Sequence, residues 1–302
     1  MIQKCLSIKY LLFILLFFVP FVQAADHPTV NLRIPADSVQ MVYLANVNAN
    51  YENCHCGEHP LGGLDRVVTV VKRWRRENPR LLLFDGGDFL NAYPYPSLNG
   101  MILKLYGLLQ PKFVCLGDQE LQTGNLKFQE KIFNSGIPVL GTNLFVGAFS
   151  LNRQIRIKLK NHRIRIFSYL DSSAFLWEKP ARNVKLSDKT FDLIYRQSLN
   201  QNDFRIAIFH GERDRVNRFV KRYPEIRLLL LAHSQTKEIN RSTFPWILGI
   251  GTDSEYVTRI SLIFSGKNKT PELKIKTVPI ELSIRPDDEA RKIIDAFKNQ
   301  QK

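Results

Sequence analysis

Two aspartates and two histidines stand just after four separate apolar runs of the chain. They are Asp88 in FDGGD, Asp118 in CLGDQE, His210 in IAIFHG and His233 in LLLLAHSQ. Carboxylates and imidazoles are the ligands that a borderline divalent cation such as Zn, Mn or Fe takes in proteins. Functional side chains of an open α/β sheet collect at the carboxyl ends of its strands. If the runs are strands, these four residues predict a divalent metal site.

Amide side chains also follow apolar runs. Asn46 and Asn48 come after an earlier run at residues 39–44, Gln119 stands next to Asp118, and Gln235 comes two residues after His233. Polar residues at strand ends also cap turns, and each of these residues taken alone is typical of that role. The residue types therefore leave two interpretations open, a metal site or a set of unrelated turn caps.

The elements that would position these side chains alternate along the chain. Short apolar runs fit strands that are buried on both faces; they cover residues 39–44, 81–84, 113–116, 137–140, 164–170, 204–209 and 228–231. Apolar residues recur at helical spacing from Leu64 to Trp74, and this pattern stops before Pro79. Residues 246–264 predict paired strands, and residues 287–298 predict a last helix with acids in its first turn. Strand and helix alternation predicts an α/β layered fold.

The first 24 residues are typical of an export signal. Lys4 and Lys9 precede the apolar run 10–22, and Val22-Gln23-Ala24 offers small residues at a cleavage position. The run is shorter than the roughly 20 residues of a membrane span. We therefore expect cleavage near Ala24 and a periplasmic or extracellular protein, with an uncleaved anchor as the alternative.

The charge of the chain is strongly basic, with a formal net charge of +15, of which two units belong to the leader. A basic surface favours anionic neighbours such as membrane headgroups, an anionic ligand or an acidic protein of the envelope. The Lys and Arg residues are dispersed and form no long tract, so nucleic-acid binding is not indicated. A merely solubilising surface is the alternative.

Three cysteines follow the leader, namely Cys54, Cys56 and Cys115. An odd number in an exported protein leaves one thiol unpaired, or pairs it with a partner or a metal. A bond between Cys54 and Cys56 would close a small, strained ring, whereas a bond from either of them to Cys115 is easier. A disulfide and a redox thiol both remain open.

The order of these segments resembles the metallophosphoesterase (calcineurin-like) superfamily, and more closely the catalytic domain of bacterial 5'-nucleotidases. The first motif of that family, usually Asp-x-His, falls on Asn46-Val47-Asn48. The stretch LGGLDRVVTVVKRWRRENPRLLLFDGGDFL is similar to its Gly-Gly-Leu helix and Gly-Asp strand, and CLGDQEL takes the place of Gly-Asn-His-Glu. The segments IPVLGTNL, IAIFHGERD, LLLLAHSQ and GIGTDSEYVTRISLIF follow in family order, so the similarity covers about residues 39–264.

The resemblance implies an αββα sandwich of two mixed sheets flanked by helices. Members of the bacterial 5'-nucleotidase branch also carry a C-terminal domain that holds the nucleoside. We expect residues 25–302 to form a single metallophosphoesterase-like domain without that second domain. The resemblance further implies that the strands before the first and third motifs are neighbours, which would place Cys115 close to the loop of Cys54 and Cys56.

The resemblance also implies a pair of metal ions that share the aspartate of the Gly-Asp motif. One ion takes the positions that carry Asp88, Asp118, His210 and His233 here, and each of these residues can ligate. Apart from the shared aspartate, the other ion takes the positions of Asn46, Asn48 and Gln235. Neutral amides balance a second dication poorly. We expect one divalent ion (Zn, Mn or Fe) and only a weak second site.

Gln119 falls on the position of the catalytic histidine of the family. An amide can donate a hydrogen bond to a phosphoryl oxygen, but it cannot shuttle a proton near neutral pH. Two-metal hydrolysis uses one ion to generate hydroxide and both ions to stabilise the displacement. The sequence therefore predicts at most one of the two metal ions, and no histidine at the catalytic position.

Three functional hypotheses follow. The first is an exported, non-catalytic or weakly active relative that keeps one metal ion and acts through an anionic ligand or an envelope protein. The second is an active envelope phosphoesterase or 5'-nucleotidase, a metal-dependent phosphoric ester hydrolase. The third is a thiol or redox accessory protein centred on Cys54 and Cys56. The first is favoured because the losses concentrate on catalysis while one ligand set is whole.

Overall fold

The structure is a computed structural model, and it describes residues 27–53, 60–176, 178–266 and 270–301. The expected export signal in residues 1–24 and the two residues Cys54 and Cys56 lie outside these ranges. No helix in the described part is both long and apolar enough to span a membrane.

Fourteen strands and seven helices are formed by the described residues. The strands are β1 Thr29–Arg33, β2 Ser38–Leu44, β3 Leu82–Asp85, β4 Phe113–Val114, β5 Leu144–Val146, β6 Gln154–Lys158, β7 Arg163–Leu170, β8 Val184–Leu186, β9 Phe204–Gly211, β10 Leu228–His233, β11 Lys237–Asn240, β12 Trp246–Ile250, β13 Tyr256–Ile263 and β14 Glu272–Pro279. The helices are α1 Leu64–Glu77, α2 Pro96–Leu109, α3 Asp118–Leu121, α4 Leu126–Asn134, α5 Asp188–Leu199, α6 Val216–Arg222 and α7 Asp288–Asn299.

Two mixed sheets face each other across a common core. One has the strand order β1-β6-β7-β9-β10-β12-β11 and the other β14-β13-β2-β3-β4. Met41 and Phe84 of the second sheet share one buried cluster with Ile166 and Ile206 of the first. Helices α1, α2, α4 and α7 contribute to the cluster behind the second sheet, and α5 and α6 to the cluster behind the first. The predicted αββα sandwich is therefore confirmed.

Parallel pairing brings the ends of the central strands to one edge. Strands β7, β9 and β10 run parallel, with Leu170 opposite His210 and His233 opposite Gly211. In the other sheet β2 and β3 are also parallel, with Leu44 opposite Asp85. Side chains that follow these strands consequently meet at one rim of the sandwich.

The predicted first and last helices are both present. In α1 the apolar side of the helix is buried, with Trp74 fully buried. In α7 the side chain of Asp287 accepts hydrogen bonds from the backbone N–H groups of Glu289 and Ala290, so it caps the helix.

Two predictions of strand structure need correction. Residues 137–140 form only isolated bridges, in which Val139 and Leu140 contact Val114 and Asn152. Residues 246–264 do form two strands, but they are not paired with each other, because β12 pairs with β10 and β11 while β13 pairs with β14 and β2. Gly251 has a φ of 88° in the turn between them, where the chain passes from one sheet to the other.

A buried ion pair in the seven-stranded sheet gives a test of this packing. The Nη2 atom of Arg165 lies 2.6 Å from Oδ2 of Asp203, and both side chains are almost fully buried. Removing one partner of a buried pair leaves an uncompensated charge and typically costs about 3–5 kcal/mol. We expect Asp203→Asn to lower the free energy of unfolding by about that amount in urea denaturation. The exposed Asp214→Asn should change it by less than about 0.5 kcal/mol, and equal effects of both changes would contradict the assignment.

Candidate metal centre

Four side chains from four different elements converge at the rim. One ligand-type atom from each of Asp88, Asp118, His210 and His233 lies within 4.8 Å of the corresponding atoms of the other three. Nε2 of His210 is 3.2 Å from Oδ2 of Asp88 and 3.3 Å from Oδ1 of Asp118. Nδ1 of His233 is 2.9 Å from the same oxygen of Asp118. The structure thus brings together the residues that the sequence singled out, and their donor set fits one divalent cation.

The backbone around this cluster is unusual. Eight non-glycine residues of the described part have a positive φ, and four of them are site positions: Asn46, Asn48, Asp88 and His233. Such conformations cost free energy and persist where the surrounding structure enforces them, typically at functional sites. The loops are therefore shaped to aim these side chains.

Gly117 is required by the close approach of two ligand side chains. A Cβ atom added there would lie 2.2 Å from Oδ1 of Asp88 and 2.3 Å from Cε1 of His210. No side chain can be accommodated at that distance. A glycine before Asp118 therefore belongs to the geometry of the cluster.

Each histidine is oriented by a hydrogen bond on the ring nitrogen that faces away from the cluster. Nδ1 of His210 donates to the backbone oxygen of Gly86 at 2.9 Å, which leaves Nε2 facing the aspartates. Nε2 of His233 lies 3.3 Å from Oε1 of Glu212, which leaves Nδ1 facing them. Metal-ligating histidines are held by partners of this kind. Sequence reasoning missed Glu212, although it stands only two residues after His210 in FHGERD.

Glu120 is a second residue that sequence reasoning did not single out. Its carboxylate accepts hydrogen bonds from the backbone N–H groups of Asp88, Phe89, Leu90 and Gly117, at 2.8–2.9 Å. It is fully buried, and burial, followed by the nearby Asp88, raises its pKa to about 7. Glu120 ties together the loops that carry the two aspartates, and the signal for it was its place in the CLGDQEL motif.

The four side chains also balance one another's charge. Burial opposes a charge on His210, but the charges of Asp88 and Asp118 and the hydrogen bonds to them together outweigh it and hold the pKa of His210 well above its ordinary value. Burial likewise opposes the charge of His233, but hydrogen bonds to Asp118 and Asp88 raise its pKa to about 9. Burial alone would raise the pKa of Asp88, yet the charges and hydrogen bonds of His210 and His233 together keep that pKa below its ordinary value. A metal ion that binds here competes with protons on the ligating nitrogens.

Asn46 lies beside the cluster with its side chain fully engaged. Its Nδ2 donates to the backbone oxygens of Ser234 and Gly251, at 3.2 and 3.1 Å. Its Oδ1 accepts a hydrogen bond of 2.7 Å from the backbone N–H of His233. The amide of Asn46 therefore joins three loops and positions the backbone of His233.

Asn48 and Gln119 form a second amide link. Nδ2 of Asn48 donates to Oγ1 of Thr252 at 2.9 Å and to Oδ1 of Asp253 at 2.8 Å. Its Oδ1 accepts from Nε2 of Gln119 at 2.8 Å. The backbone N–H of Gln119 in turn donates to Oδ1 of Asp88 at 3.2 Å. The oxygen of Asn48 that a metal ion would need is thus already a hydrogen-bond acceptor.

A cleft of about 580 Å³ opens beside the cluster. Its walls include the three amides Asn46, Asn48 and Gln119, with Gln235 exposed at the rim. Asn46, Asn48 and Gln235, the residues predicted for a weak second metal site, are therefore neighbours. The amides of Asn46 and Asn48, however, are already hydrogen-bonded to protein groups.

Cys115 is buried within the core, where burial raises the pKa of its thiol well above the ordinary value. Such a thiol is unreactive, because the thiolate is the nucleophilic form. The expectation that the strands before the first and third motifs are neighbours is wrong, since β3 lies between β2 and β4. Pairing of Cys115 with Cys54 or Cys56 stays a prediction, because those two residues lie outside the described ranges.

The contact between Glu212 and His233 gives a prediction about metal affinity. We expect Glu212→Ala to weaken Zn²⁺ binding by about 10- to 100-fold, because the ring of His233 would lose the carboxylate that holds its orientation. The measurement is a competition titration against a chromophoric chelator. Glu178→Ala is the matched control, since Glu178 lines the same cleft, and within the described ranges no hydrogen bond or ion pair joins it to a histidine. Equal affinities of the two variants would show that Glu212 does not position His233.

Comparison with known proteins places the fold among phosphoesterases. The chain superposes on a 5'-nucleotidase precursor from Thermus thermophilus with a TM-score of 0.72 and 14% identity, covering 87% of this chain and 59% of that one. It superposes on the calcineurin-like phosphoesterase YfkN from Bacillus subtilis with a TM-score of 0.64 and 14% identity, covering 87% and 97%. At these identities the likeness concerns the fold.

Similarity at the level of sequence is limited to part of the chain. "Protein 5NUC" from Lutzomyia longipalpis is 28% identical over 119 residues, which are 36% of this chain and 21% of that protein. The chain therefore matches about a fifth of that relative's length. No protein-family profile matches the sequence.

Proposed function

We propose, from the premise that the chain has the calcineurin-like metallophosphoesterase fold, that it is an exported protein that binds one divalent metal ion and does not efficiently hydrolyse phosphate esters. The observation that carries this proposal is the engagement of Asn46 and Asn48, whose amide oxygens accept hydrogen bonds from His233 N–H and from Gln119. A second ion would need those oxygens. The leader in residues 1–24 supports export.

One metal ion fits the residues that are present. Asp88, Asp118, His210 and His233 offer two carboxylates and two imidazoles, a donor set that suits Zn²⁺, Mn²⁺ or Fe²⁺. Hydrogen bonds to Gly86 and Glu212 already orient the two rings toward the aspartates. When bound, the ion would act as a Lewis acid toward an anion that enters the cleft.

The second half of a two-metal centre does not fit. Asn46 turns its Nδ2 toward two backbone oxygens, and Asn48 turns its Nδ2 toward Thr252 and Asp253. Both side chains are neutral, so they contribute no charge to balance a second dication. Gln235 is exposed and offers only another neutral oxygen.

Proton transfer is equally unsupported. Gln119 stands in the cleft where the family has a histidine, and its Nε2 already donates to Asn48. An amide can hold a phosphoryl oxygen in place, but it cannot give a proton to a leaving group. The chain can thus bind and orient an anionic ligand at its metal ion, and we propose that it acts through such a ligand or through an envelope protein.

The proposal is tested by assaying hydrolysis of p-nitrophenyl phosphate and AMP with protein loaded with Zn²⁺, Mn²⁺ or Fe²⁺. We expect the rate to equal that of His210→Ala, which lacks a ligand of the cluster. Turnover by the unmodified chain well above that of His210→Ala would instead identify it as an active phosphoesterase.

A further inference from the structure

A cationic face lies on the outer side of the seven-stranded sheet. Arg33 of β1 is opposite Lys158 of β6, which is opposite Arg163 at the start of β7. Arg156 stands two residues before Lys158, so it points to the same face. All four side chains are exposed. We call Arg33, Arg156, Lys158 and Arg163 the β1–β6 basic face.

Strand alternation explains why the cations share one face. The intervening residues Ile155, Ile157 and Ile164 are buried in the core between the sheets. Residues on either side of them must point outward, because successive side chains alternate across a strand. The row of cations is therefore built into the fold of the sheet.

The helical layer ends before it reaches this face. Arg205 of β9 is still covered by α5, since its Nε donates to Oγ of Ser198 at 3.0 Å. Arg205 is 6% exposed, whereas Arg156, two strands further toward the edge, is exposed. The outer side of β1 and β6 is thus exposed at Asn31, Arg33, Arg156 and Lys158, whereas Gln154 at the start of β6 is buried against Arg165.

The charge of the face is largely uncompensated. Within the described ranges, no ion pair involves Arg33, Arg156 or Lys158. Arg163 pairs with Asp203, but that carboxylate is buried and also binds Arg165. The carboxylate of Asp37 is hydrogen-bonded to Asn161, and within the described ranges no ion pair joins it to these cations. None of the large apolar side chains exposed in the described part lies on these strands.

The face and the metal cluster lie at opposite ends of the sheet. Arg163 begins β7, and Leu170 at the other end of that strand is opposite His210. Seven residues of extended chain span roughly 23 Å. A flat partner on the basic face would therefore leave the cleft open.

We propose that the β1–β6 basic face docks on an anionic lipid bilayer. A sheet face that presents cations without apolar wedges complements a flat layer of anionic headgroups, and each cation near such a layer contributes roughly a fivefold factor in binding. The position of β1 in the chain favours a bilayer over a soluble polyanion. Only six residues separate Thr29, which begins β1, from the apolar run 10–22, the segment that would meet a membrane during export.

The test measures the binding of the full chain to vesicles of phosphatidylglycerol and of phosphatidylcholine. The preference for the anionic vesicles is the readout, because an apolar leader would enter both kinds. We expect Arg33→Gln/Arg156→Gln/Lys158→Gln to lower that preference by roughly 100-fold at low salt, and added salt to lower it in the unmodified chain. The matched control removes three exposed charges near the other sheet, with the changes Lys104→Gln in α2, Lys112→Gln in the loop after α2 and Lys127→Gln in α4.

The control should retain most of the preference for anionic vesicles. Equal losses in both triple variants would overturn the proposal, because net charge alone would then explain binding. Binding of soluble polyphosphate as tight as vesicle binding, and lost with the same three residues, would overturn it in favour of a polyanion site. His210→Ala should leave vesicle binding unchanged, so the result does not depend on the proposed metal function.

Discussion

Hydrolysis of phosphate monoesters is expected only when three residues are changed together, as Asn46→Asp/Asn48→His/Gln119→His. The first two changes replace neutral amides by a carboxylate and an imidazole, which supply ligands and charge for a second ion beside Asp88. The third supplies a group that can transfer a proton. A positioned acid typically contributes about 10²- to 10⁴-fold, so the triple variant should exceed Asn46→Asp/Asn48→His by that factor.

The hydrogen bonds of Asn46 explain why the two-residue change should depend on metal. An aspartate at that position would direct a carboxylate oxygen at the backbone oxygens of Ser234 and Gly251, which now accept from Nδ2. Without a second ion these oxygens repel one another, so the double variant should unfold more easily than the unmodified chain. Excess Zn²⁺ should restore its stability, since an ion that binds only the folded state stabilises it.

Rates of p-nitrophenyl phosphate hydrolysis measure the turnover of the triple variant. Thermal unfolding with and without Zn²⁺ measures the metal-dependent stability of the double variant. Gln119→His alone is the control, and it should give no turnover because the second ion is still missing. If Gln119→His alone sufficed, the amides at positions 46 and 48 would not be what limits catalysis.

Metal binding should be lost when His210 is replaced by alanine. His210 is 2% exposed and its Nε2 contacts both aspartates of the cluster, so the change removes one of four ligand-type groups. We expect Zn²⁺ affinity to fall by more than roughly 100-fold, the largest loss expected for Glu212→Ala, because Glu212 only orients a ligand.

A histidine outside the cluster provides the control for the loss of Zn²⁺ affinity in His210→Ala. His162→Ala removes an imidazole that stacks on Phe264 and faces the backbone oxygen of Gly266, away from the cluster. Its Zn²⁺ affinity should equal that of the unmodified chain in the same titration. Comparable binding by His210→Ala and His162→Ala would place the ion elsewhere in the chain.

Much of the fold could be predicted because local patterns carry it. Buried runs such as residues 204–209 and 228–231 predicted strands β9 and β10, and the polar residues after them marked the rim of the sheets. The helix that begins at Leu64 was visible from its apolar spacing, and the start of α7 from the acids in its first turn. These features depend on residues that are near one another in the sequence.

The features that the sequence did not predict depend on contacts between residues that are distant in the sequence. Nothing local distinguishes a strand pair from two strands in different sheets, and the turn at Gly251 sends β12 and β13 apart. The roles of Glu212 and Glu120 depend on contacts with His233 and with the Asp88 loop, which only the folded chain creates. The engagement of Asn46 with Ser234 and Gly251 likewise could not be read from its type.

The number of metal ions bound per chain decides between one metal site and two. Protein freed of metal with a chelator is titrated with Zn²⁺ by calorimetry, and the loaded protein is checked by elemental analysis after dialysis. We expect one tightly bound ion per chain, and none in His210→Ala. Two tightly bound ions in the unmodified chain would contradict this expectation, because Asn46 and Asn48 would then have to ligate a second dication.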